Sequence, residues 1–87
     1  MQLKKKEVKS KMNKQRLLKL HKIDALVTED RNLMEEIHEE EEEYLNNIPE
    51  NLQGGERYER TSEVVDMMEE NISNLEECEN NIEEIIS

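Results

Sequence analysis

From Leu3 to Asn46 the chain runs 44 residues without a glycine or a proline, and that uninterrupted stretch restricts the fold more than any motif does. It is rich in Lys, Leu, Glu and Met, which cost little in a helix. One long helix is therefore predicted over about 3–46. Its stripe steps by three and four through Ile23, Val27, Asp30, Met34, Ile37, Glu41, Tyr44 and Ile48, with Leu26 and Leu33 widening it. The pattern breaks in "NNIPENLQGGE", where Pro49 suits the first turn of a short helix and Gly54-Gly55 suit its end and a chain reversal. A second helix is predicted from about Glu56 to the C-terminus. Its stripe is Tyr58, Thr61, Val65, Met68, Ile72, Leu75 and Ile82, with Cys78, Ile85 and Ile86 filling in.

Two apolar stripes joined by a short connection predict an all-α fold, an antiparallel two-helix hairpin with coiled-coil-like packing. The turn falls at about 47–56, and centring it places positions that sum to about 103 opposite one another. A hairpin of 87 residues has little core, because small chains bury a low fraction of their surface. Leu, Ile and Val number 20, and Phe and Trp are absent. Self-association into a helical-bundle oligomer, a four-helix-bundle dimer, is expected on that ground.

Charge divides the chain more sharply than hydropathy. Residues 1–22 carry nine Lys/Arg and one Glu, +8, whereas residues 23–87 carry three Arg and 22 Asp/Glu, −19. The organisation expected is thus a basic helical extension at 1–22 and an acidic hairpin at 23–87. Such asymmetry points to partners and to electrostatic steering. No signal peptide or membrane span is read in the sequence, and the single Cys78 forms no internal disulfide. A soluble cytoplasmic protein with no membrane partner is expected.

The tip and second helix, "NIPENLQGGERYE" and "EVVDMMEENISNLEECENNIEEI", resemble small acidic helical proteins, largely uncharacterised, of phages and mobile elements of Gram-positive bacteria. The resemblance covers about 46–86. It implies a helical fold and a mobile-element setting and brings no active site with it.

Five glutamates, Glu39, Glu40, Glu41, Glu42 and Glu43, follow His38. At 100° per residue the run wraps the whole helix, which suits a solvated acidic surface or a protein-binding one. Glu35 and His38 have the i,i+3 spacing of di-iron bundles, but the second helix has no histidine to complete such a site. Glu36-x-x-Glu39 followed by Glu63-x-x-Asp66 is similar to the paired acidic motifs of all-α nucleotide pyrophosphatases, and four carboxylates across two helices could hold Mg²⁺. The phosphate-binding and base-stacking residues that chemistry needs are missing near the tip.

Lys4, Lys5, Lys6, Lys9 and Lys11 of the extension could meet nucleic acid by counterion release, or acidic residues of a partner subunit. Cys78 is expected as a buried small hydrophobe. No catalytic signature and no cofactor are read in the sequence. The function expected is therefore non-catalytic: a protein that binds and inhibits a host protein through acidic residues 39–43 with Glu69 and Glu70, in the manner of a DNA mimic. Self-assembly as a structural scaffold is the alternative. A Mg²⁺-dependent nucleotide hydrolase, or a protein that sequesters a nucleotide, comes third.

Overall fold

The structure is a computed structural model, and it describes residues 13–87. Two helices, α1 (Lys14–Asn46) and α2 (Glu56–Ile86), are joined by a 3-10 turn at Glu50–Leu52 and pack against each other. No strand occurs among the described residues. The boundary expected at 22/23 is one of charge alone, since α1 runs through it unbroken.

α1 begins later than the sequence predicts. Asn13 is its N-cap, with non-helical φ −52° and ψ 136°. The Asn13 side chain accepts hydrogen bonds from the backbone N–H of Gln15 at 2.7 Å and of Arg16 at 3.3 Å. Two of the donors that every helix start leaves open are thereby satisfied. The expected helical residues 3–12, with Lys4, Lys5, Lys6, Lys9 and Lys11, lie outside the described residues.

At the other end the Asn47 N–H closes on the Glu43 and Tyr44 carbonyls. Pro49, which has no N–H, serves as cap of the 3-10 turn instead of entering it. The chain does reverse at Gly54-Gly55 as expected, and neither glycine takes a left-handed conformation there. At Gly55 the fit is tight: a Cβ there would stand 3.3 Å from the Leu52 carbonyl oxygen. Gly54 faces open space.

Contacts across the seam pair Thr28 with Glu79 and His38 with Glu69. Each pair sums to 107, so the side chains meet about one helical turn away from the expected register. Ser87 then comes level with about residue 20, and the start of α1 overhangs the hairpin.

The seam itself differs from the predicted stripe in a regular way. Val27, Met34, Glu41 and Ile48 lie in it as expected, but the intervening positions are Asp24, Arg31, His38 and Leu45, one residue beyond Ile23, Asp30, Ile37 and Tyr44. On α2 the stripe holds as far as Leu75; Glu79 then takes the seam position expected for Cys78, which is exposed. Among the described residues three apolar side chains are buried, Ile48, Val65 and Ile82, and none is completely enclosed. Each contributes about 1.5–3 kcal/mol, which makes a thin core for a rod extending 67 × 22 × 15 Å.

Candidate functional site

An uncharged stripe on α1 would leave Glu79 without partners, and the seam answers that need. The Arg31 Nε–H donates to Glu79 Oε1 at 2.6 Å, and the Thr28 hydroxyl donates to Glu79 Oε2 at 2.5 Å. Arg31 also reaches Glu35 at 3.1 Å, four residues along its own helix. The hydroxyl of Thr28, and next to it the Arg31 guanidinium, hold the Glu79 carboxyl below its ordinary value. Arg31 is raised in return, chiefly by its hydrogen bond to Glu79. Further along, His38 Nε2 lies 3.0 Å from Glu69 Oε2. Asp24, also in the seam, has a buried Oδ1 with no hydrogen-bond partner.

Sequence reasoning missed Thr28, Arg31 and Glu79 as a unit. The available signal was that Arg31 is the only basic residue between 23 and 56, which requires some acid across the hairpin to answer it.

The seam divides the hairpin surface into two unlike sides. On one, His38, Glu42 and Glu69 bring ligand atoms within 4.8 Å of one another, with both glutamates exposed. Glu35 lies on this side too, turned toward Arg31, so the expected Glu35/His38 pair does not converge on a common point. The other side carries a shallow groove lined by Asp30, Leu33, Ile37, Asn71 and Asn74.

The glutamate run behaves as its pitch dictates. Glu39, Glu40, Glu42 and Glu43 are exposed, as are Glu69 and Glu70, while Glu41 enters the seam half-buried. Among the described residues, none of Glu39 to Glu43 and not Glu70 has an ion-pair partner within 4 Å. Residues 35–70 contain fourteen acidic side chains and two arginines, a net charge of −12.

The four carboxylates that resembled a Mg²⁺ site are not brought together. Glu36, Glu39, Glu63 and Asp66 are all exposed, and the acidic grouping close enough to share an ion among the described residues is the one at His38. The register explains it: a sum of 107 sets position 39 against 68 and position 66 against 41.

With this geometry the chain is defined as a helical hairpin having one acidic and one weakly charged side. No family model, no curated protein and no solved structure matches it. Among the described residues no helix is long and apolar enough to cross a membrane.

Proposed function

We propose that this chain is a non-catalytic binding protein whose acidic tip docks into the basic groove of a nucleic-acid-handling protein and inhibits it. The observation that carries this reading is the lack of neutralisation at the tip: −12 over residues 35–70, with the glutamates at 39–43 exposed or half-exposed and unpaired among the described residues. Those residues fold into about 25 Å of hairpin, so one net charge falls roughly every 2 Å. Duplex DNA carries one per about 1.7 Å. A rod of comparable charge density competes for the same groove by the same counterion release.

The setting suggested by the turn motif is a phage or mobile element of a Gram-positive host, acting in the host cytoplasm on a defence or nucleic-acid enzyme. Coiled-coil packing of the two helices and assembly with further copies belong to the same reading. No cofactor and no hydrolytic step enter it.

The test is a pull-down from nuclease-treated host lysate with the tagged full chain. A nucleic-acid-binding protein should be retained, be released by salt, and be displaced by added duplex DNA. Replacing Glu39, Glu40, Glu42 and Glu43 by Gln should abolish its capture. Retention of partners that DNA does not displace would refute the mimic.

A further inference from the structure

The side of the hairpin away from His38 has a composition unlike the rest of the surface. On α1, Ile23, Leu26, Leu33, Ile37 and Tyr44 follow one another at intervals of three, seven, four and seven residues, which keeps them on one side of the helix, and each remains between 45% and 52% exposed. On α2 the matching stripe runs Met67, Asn71, Asn74, Cys78, Asn81 and Ile85, without a charge. Acids do reach this side: Asp30 lines the groove, and helical pitch puts Glu40 on the α1 part and Glu63, four residues before Met67, at the tip end of the α2 part. The groove that joins Leu33 and Ile37 to Asn71 and Asn74 shows that the two stripes share one face.

From Ile23 to Tyr44 the face is about 31 Å long. With the width of two helices, about 20 Å, it offers about 600 Å² per molecule. A symmetric pair would bury about 1,200 Å², the lower bound of specific interfaces.

Charge identifies the occupant and its direction. α1 is charged against its own macrodipole at both ends: Lys14 and Arg16 stand in a first turn that has no acid, and Glu42 and Glu43 close a last turn that has no base. Each is unfavourable for an isolated helix. Within the hairpin nothing reverses this at the tip, because α2 begins there with Glu56 and Glu59. A second copy laid on the face in the opposite direction does reverse it. It brings Lys14, Arg16 and Lys19 of one chain beside the acidic tip of the other, at both ends of the pair, three positive charges against the −12 of residues 35–70, so the tip stays strongly acidic.

We infer that the chain forms an antiparallel dimer through this face, α1 on α1 and α2 on α2, with the two-fold axis passing near Leu33 and Asn74, the midpoint of the two stripes. In the opposite arrangement, tips together, the two acidic runs would repel and each α1 would lie on α2. This inference gives form to the assembly named under the proposed function but does not depend on the acidic partner, and purified chain alone tests it.

Sedimentation equilibrium on the full chain should give a mass twice 10.4 kDa at micromolar concentration. In a Cys78→Ser background, Leu33→Cys and Asn74→Cys should each form a covalent dimer on mild oxidation, because each sits next to its own symmetry mate. Ile23→Cys should not, because its mate lies about 30 Å away. Leu33→Glu combined with Ile37→Glu should yield a monomer; if that variant loses its helical circular dichroism, the cysteine pattern still decides. A monomeric wild-type chain, or a dimer in which neither Leu33→Cys nor Asn74→Cys cross-links, overturns the inference.

Discussion

Glu79 is held by two donors from α1, and the direction of its shift fixes how acid should act on the hairpin. Because its folded-state pKa lies below the ordinary 4.5, the stabilisation from Thr28 and Arg31 is complete above that value and disappears as pH falls through the lowered one. Glu79→Gln should therefore lower the melting temperature at pH 7, while wild type and variant should converge on acidification below pH 4.5; thermal melts by circular dichroism across pH 2–7 read both. A constant difference over that range would mean that Glu79 acts through packing alone. Asp24 is the contrasting residue. Its buried Oδ1 has no partner, and such an atom costs about 1–3 kcal/mol. Asp24→Leu should accordingly raise stability by about that amount in urea unfolding, since a seam position gains an apolar contact and loses the orphaned oxygen.

At the scale of the elements, both helices were legible because two signals agreed: a long stretch free of Gly and Pro, and a break containing Pro49, Gly54 and Gly55. Half of the α1 seam was legible as well. The other half was displaced by one residue because α1 carries two stripes, and hydropathy favours Ile23, Ile37 and Tyr44 over Asp24, Arg31 and His38. Only the partners Glu79 and Glu69 on the other helix explain why Arg31 and His38 turn inward; Asp24 has no such partner. Register was harder still. Helical side chains lean toward their own N-terminus, so in an antiparallel pair contacting residues sum to about two more than residues at the same level. That accounts for about half of the displacement from 103 to 107, and it is what separates Glu36 and Glu39 from Glu63 and Asp66. The exposure of the glutamate run was readable from helical pitch alone. The turn supplies a prediction of its own. Gly54→Ala should stabilise the hairpin by about 0.4–1 kcal/mol by restricting the unfolded chain, whereas Gly55→Ala should destabilise it by crowding the Leu52 carbonyl; guanidinium melts of both variants check the order.

For the whole molecule, the governing quantity is the placement of charge along the rod. Residues 13–22 carry four Lys/Arg and no acid, while residues 35–70 carry −12. Two antiparallel copies set each positive end beside the other chain's negative tip, whereas two parallel copies set positive beside positive. Replacing Lys14, Arg16 and Lys19 together by Glu thus has opposite consequences in the two arrangements. In the antiparallel dimer it adds three charges of the wrong sign at each end, and the dissociation constant should rise at least tenfold at 20 mM salt. In a parallel dimer it would place new acids beside the partner's new acids, changing one repulsion for another, and the constant would hardly move. The Debye length falls from about 30 Å at 0.01 M to about 3 Å at 1 M salt, so the antiparallel effect should vanish at 1 M while the apolar contacts of Leu33 and Ile37 remain. Sedimentation of wild type and triple variant at both salt concentrations separates steering by charge from cohesion by the face. A variant that dimerises as tightly as wild type at low salt would show that charge does not set the direction in which two copies meet.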